Sequence, residues 1–187
     1  QTKQKNKQNK MASINSQQPM VFEKWMGEGG MDEHIQRVTG CKAFTGAGIN
    51  TRYEKKTAIL KSVDDTPYYD DDMEDFNNPK YTLFGRTGDQ SESETRFNAP
   101  LLNNEKIEHI YLYRVKMDGK KKVYLWYGKY NIVGKETKTH PDINGDSRKI
   151  ILLNLKRATF NDSPPVAKRP ERYDGETKSE YLLRVTK

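Results

Sequence analysis

Residues 68–85 read YYDDDMEDFNNPKYTLFG, and the fold turns on how this run is taken. Its second half opens as a strand and enters a Gly-rich polar stretch, RTGDQSESETRFNAPLL (86–102). Its first half closes an acidic segment in which Asp64, Asp65, Asp70, Asp71, Asp72, Glu74 and Asp75 occur without one basic residue. The whole chain carries a formal charge of +7. A basic protein that gathers its acids beside tyrosines is either solvating a loop or lining a pocket. The bland reading is a loop that balances nearby lysines. The specific one uses Tyr68, Tyr69 and Tyr81: two phenol faces can sandwich a flat heterocycle, and a carboxylate between them can accept a hydrogen bond from an exocyclic amine such as that of cytosine. The acid then sits in a slot for one extruded base while lysines elsewhere hold phosphates.

Composition frames both readings. With 187 residues, 33% hydrophobic and 32% charged, the chain is long enough for one domain plus polar extensions. An isoelectric point near 9.3 suits a polyanionic partner, whether nucleic acid, an anionic surface or an acidic protein. The single cysteine, Cys41, excludes a disulfide within the chain and fits a reducing compartment, nucleus or cytoplasm, or a virion. No apolar run is long enough to span a membrane, and no apolar core of a secretory signal stands at the start.

Periodicity divides the chain. Residues 1–20 are Gln/Asn/Lys-rich and acid-free, and read as a flexible basic arm. Residues 21–47 form a lead-in, where Met31, Ile35 and Val38 share one helical stripe that Gly40 stops. Over 48–160 the period becomes two. Strands are expected at 56–63, 80–86, 109–117, 122–128, 130–136 and 149–157, with a type I′ hairpin at Asp118-Gly119. The expected class is mainly β with peripheral helix, a curved barrel with extended arms. The proline-containing stretch NDSPPVAKRPER opens a 161–187 linker and C-terminal arm.

Enzymatic chemistry finds little support. DINGDSRKIILL (142–153) lacks both the glycine and the closing glutamate of a calcium loop, and reads as a turn. His34, His109 and His140 are dispersed, and Cys41 has no zinc-spaced partner. Glu54-Lys55-Lys56 is a nuclease-like triplet common by chance in such a chain. No nucleophile elbow or phosphate-binding Gly-Lys-Ser/Thr loop occurs. No catalytic residue, metal or cofactor is assigned.

From Gly48 to Arg157 the sequence resembles the SRA-type modified-base reader domains, relatives of the PUA-like barrels. That family places a pocket tyrosine, an aspartate three residues on, and a second tyrosine twelve residues on that starts a Tyr-Thr-Gly motif. The same offsets fall on Tyr69, Asp72 and Tyr81, followed by Thr82. FNAPLL, with Asn98, resembles the family's Asn-x-Ala-Leu stretch, and WYGKYNIV resembles its Tyr-Asp-Gly-x-Tyr strand through Tyr127, Gly128 and Tyr130. Two departures stand out: Leu83-Phe84 interrupts the Tyr-Thr-Gly motif, and the aspartate before Gly128 is missing.

The resemblance implies a DNA-binding module that reads a modified or flipped base, with modified cytosine as the guest. Tyr69, Tyr81 and Thr82 would form the pocket with Asp72 reading the base edge, supported by a loop of Gly85, Gly88, Asp89 and Asn98. Arg86, Lys116, Lys120, Lys121, Lys122 and Lys129 would contact phosphates. Two other readings stay open. One is a structural protein of a large assembly, virion or chromatin-like, that reuses the fold and meets other subunits through its arms. The other is a nuclease-associated component.

Overall fold

A computed structural model describes residues 18–42 and 46–158. The arms at 1–17 and 159–187 lie outside the described residues, as does the segment 43–45. Seven strands form one sheet: β1 (Met20–Phe22), β2 (Ile49–Arg52), β3 (Thr57–Val63), β4 (Lys80–Thr82), β5 (His109–Asp118), β6 (Lys121–Pro141) and β7 (Ser147–Arg157). Two helices accompany them, α1 (Met31–Thr39) and the short α2 (Asn98–Leu101). The order across the sheet is β2-β3-β5-β6-β7-β4, with β1 added against β6. All pairings are antiparallel except β3 with β5. A parallel pair needs a long crossover. Here the crossover, residues 64–108, contains the acidic run, β4 and the Gly-rich stretch.

The chain is mainly β, as its aromatic and β-branched runs require, but the sheet does not close into a barrel. Neighbouring residues alternate between two cores. Leu60, Leu112, Tyr127 and Leu153 pack beneath the crossover. Ile59, Tyr113 and Trp126 pack against Met31 and Ile35 of α1 on the opposite face. Helix α1 ends where Gly40 adopts φ +69° and returns its N–H to the Gln36 carbonyl.

Strands β1 and β2 are not among the strands expected from the sequence, β1 beginning at Met20 in the segment read as a flexible arm, and three expected elements take a different form. The strands expected at 122–128 and 130–136 are one strand, β6, interrupted by bulges rather than a break. Its register shifts opposite Leu112/Tyr113, where Gly128 takes φ +97°, and again between Ile132 and Gly134. The first bulge lets Tyr127 and Tyr130, an odd spacing apart, face the same core. Strand β4 stops at Thr82 instead of Arg86, because the Gln90 side chain then takes over as partner of β7, accepting from the Ile151 N–H at 2.8 Å. The β5–β6 hairpin closes at Asp118↔Lys121, and of its two loop residues only Gly119 has positive φ. Type I′ needs positive φ at both; glycine at the first position suits type II′.

Candidate nucleic-acid interface

The open seam of the sheet is where the candidate site lies. Strand β2 accompanies β3 only from Thr57 to Leu60. Beyond that point the two edges of the sheet are bridged by a side chain rather than a ladder: the Tyr81 hydroxyl of β4 donates to the carbonyl of Gly48, the residue before β2, at 2.9 Å. Above this strut opens a cavity of about 690 Å³. Tyr69, Asp71, Tyr81, Thr82 and Phe84 line it, and Lys61, Arg86 and Arg96 are the cationic residues in its wall.

Of the three residues singled out by spacing, Tyr69 and Tyr81 line the cavity and Asp72 does not. The register explains the difference. Asp72 bridges Lys80 through both backbone groups, at 3.0 and 2.8 Å. That pairing sets Asp71 across from Tyr81, and consecutive residues of an extended segment face opposite sides. Asp72 is therefore exposed, its carboxylate accepting from the Glu74 N–H at 3.1 Å. Asp71 turns inward and accepts from the Thr82 N–H at 2.7 Å, with the Ser62 and Thr82 side chains as further partners. Burial outweighs these hydrogen bonds and raises its pKa from 3.8 to about 6. Burial also raises the Tyr69 phenol, against hydrogen bonds from the Gly85 backbone and Arg86, and lifts Tyr81 well above its ordinary value. The Tyr68 and Tyr69 rings meet edge to face, 4.9 Å apart at 63°.

The remaining acids mostly hold the crossover in place. Asp64 takes a bidentate pair from Arg114, at 2.5 and 3.1 Å. Asp70 pairs with Lys138, and Asp75 accepts from the Asn77 and Asn78 N–H groups. From the sheet side, the Tyr127 hydroxyl donates to the Met73 carbonyl and the Tyr130 hydroxyl to that of Phe76. The tyrosines of WYGKYNIV thus act as struts for the acidic run.

The expected supporting loop is scaffold. Asn98, fully buried, accepts from the Phe84 N–H and donates to the Phe84 and Ser91 carbonyls, at 2.8–2.9 Å. Asp89 accepts from the Lys149 N–H at 2.7 Å. Gly85 and Gly88 adopt φ +140° and +63°, and a Cβ on Gly85 would lie 3.1 Å from the Gln90 side chain.

The expected phosphate contacts divide. Arg86 stands at the cavity, its guanidinium 5.7 Å from the centre of the Tyr68 ring. Lys116, Lys120, Lys121 and Lys122 are exposed on the β5–β6 hairpin, and Lys129 is half-buried within β6. Sequence reasoning missed Lys61 in the cavity wall. Its pKa is lowered by burial and by the neighbouring charges of Lys122 and Arg86, which links the hairpin electrostatically to the cavity. The sequence offered no more than its place in AILKS; that it stands one residue beyond the last β2 pair is visible only in the fold. The 142–146 segment is the β6–β7 hairpin turn, where Asp142 accepts from the Asn144 and Asp146 N–H groups. Among the described residues no helix is long and apolar enough to cross a membrane, and no cluster of three or more His, Cys, Asp or Glu is placed to hold a metal ion.

No family model and no curated protein matches the sequence. Solved structures do match the fold. The MspJI restriction endonuclease in complex with a 27-mer oligonucleotide superposes with a TM-score of 0.56 at 16% identity, over 78% of this chain and 43% of that one. KRYPTONITE in complex with mCHH DNA, an H3(1-15) peptide and SAH gives 0.50 at 18% identity, over 82% and 34%. The chain thus spans less than half the length of either neighbour. Together with the cavity at the seam, these likenesses show that the chain has an SRA-like fold.

Proposed function

We propose that this chain is a DNA-binding module whose seam cavity receives one base swung out of a duplex and discriminates a modified cytosine from cytosine. The observation that carries the proposal is the convergence of Tyr69, Asp71 and Tyr81 on one cavity with Lys61, Arg86 and Arg96 in its wall. Its volume lies within the roughly 300–1,000 Å³ of small-molecule sites. The phenols supply stacking faces and Asp71 supplies an acceptor for an exocyclic amine. The cations suit the phosphates flanking the extruded nucleotide, and the hairpin lysines extend that surface. The structural neighbours support the reading, since both are complexes with an oligonucleotide or with DNA. The assembly-protein reading rests on the terminal arms, which lie outside the described residues.

The test is equilibrium binding to matched duplexes containing cytosine, 5-methylcytosine or 5-hydroxymethylcytosine, across salt concentrations. A reader prefers one of them, and Asp71→Ala, by removing the acceptor that holds an extruded cytosine whatever its C5 substituent, abolishes the preference while retaining salt-dependent affinity. Equal affinity for all three duplexes, with salt dependence alone, contradicts the proposal.

A further inference from the structure

Arg148, at the start of β7, is 3% exposed yet makes no ion pair among the described residues. Its guanidinium is spent on carbonyls. Nη1 donates to Gly85 at 2.7 Å and Gly88 at 3.4 Å, and Nη2 donates to Tyr68 at 2.5 Å. Nε has no partner. Burying a cation against neutral acceptors is costly, and an incompletely satisfied one more so. The arrangement is explained by what those carbonyls belong to. Tyr68 precedes the pocket tyrosine Tyr69, and Gly85 lies between Phe84 and Arg86, so the two loops flank the cavity from opposite parts of the crossover.

Neighbouring groups repeat the pattern. His140, paired with Arg148 across the β6–β7 ladder, contacts the Pro67 carbonyl through Nε2 at 2.9 Å. Asp142, in the turn beyond, accepts from the Gly88 N–H at 3.4 Å and holds its carboxyl below the ordinary range, with backbone N–H donors and the Arg148 charge overcoming desolvation. One end of one hairpin thus grips both loops, and its rigid fork fixes their separation.

We infer that Arg148 is a positioning residue for the base pocket: assisted by His140 and Asp142, it sets the spacing of the Pro67–Tyr69 and Gly85–Gly88 loops, and through it the discrimination between bases. This rests on the reader function proposed above, so the test has one arm that needs no DNA. Amide hydrogen exchange is compared between the wild-type chain, Arg148→Met, Arg148→Lys and Ile35→Ala, the last a core truncation in α1 that serves as a destabilised control. Arg148→Met is expected to speed exchange at least about tenfold in residues 66–70 and 84–88 together, with β3, β5 and β7 protected relative to the control. Arg148→Lys keeps the charge without the fork and is expected to leave at least one of the two loops fast. Unchanged exchange in both loops, or the same acceleration in Ile35→Ala, overturns the clamp. In the binding arm, Arg148→Met lowers the ratio of affinities for modified and unmodified duplex about tenfold and leaves the salt slope unchanged. Retention of the wild-type ratio overturns the link to discrimination. A wild-type chain with no base preference defeats the reader function and that link, while the exchange arm still decides the clamp.

Discussion

At the scale of single residues, Asp71 has two opposite dependences on pH. Its folded-state pKa is raised from 3.8 to about 6 by burial, so the folded chain holds this proton more tightly than the unfolded one. The stability it contributes is fully present below about pH 4 and is lost as pH rises through about 6. Relative to Asp71→Asn, the wild-type chain should therefore lose about 2–3 kcal/mol between pH 4 and pH 7, read by urea unfolding at each pH. Base preference should run the other way, falling as pH drops below about 6, because the protonated carboxyl is a weaker acceptor for an amine than the carboxylate. Tyr81 is predicted to separate stacking from support. Tyr81→Phe keeps the ring and loses the strut to Gly48, whose carbonyl still accepts from the Lys61 N–H at 2.7 Å. The cost should be about 1 kcal/mol, with base preference retained. Asn98→Ala should be harsher, roughly 3–5 kcal/mol in the same measurement, because it strands three backbone groups of Phe84 and Ser91 in the interior.

At the scale of elements, legibility followed the range of the interactions involved. Helix α1 was readable because its stripe and its Gly40 stop are local. Strands β3, β5 and β7 were readable because their alternation or apolar density needs no knowledge of a partner. The continuity of β6 was not, since a glycine with φ +97° inside a strand resembles a turn until its pairing with β5 is known. The spacing falls on Asp72 while the cavity holds Asp71, for a related reason. The offset from Tyr69 marks the segment, but the side on which an acid falls depends on the Asp72↔Lys80 bridge, a pairing no spacing rule contains. Arg148 lay hidden in DINGDSRKIILL, a stretch that reads as a turn just ahead of the 149–157 strand, because its partners are 60 to 80 residues away in sequence. The bulge itself is testable. A Cβ on Gly128 would meet no atom within 4 Å, so Gly128→Ala should cost only the backbone term, roughly 1–2 kcal/mol, without altering base preference.

At the scale of the whole molecule, the +7 charge and the acidic run describe different jobs. Acids fasten the crossover to the sheet through Arg114, Lys138 and backbone donors, leaving Asp71 facing the cavity. Cations line the cavity wall and crowd the exposed β5–β6 hairpin. Replacing Lys120, Lys121 and Lys122 together by Gln should lower the magnitude of the log–log salt slope of duplex binding by roughly 2–3, while the ratio between modified and unmodified duplex is unchanged. In the proposed reading a base lodges at the unclosed seam between β2 and β4. Backbone amide chemical-shift mapping with matched modified and unmodified duplexes is the sharpest check of that placement. The preferred duplex alone is expected to perturb Tyr69, Asp71, Tyr81 and Phe84, while both duplexes perturb the hairpin lysines. Shifts confined to the hairpin and other basic surface with every duplex would contradict it.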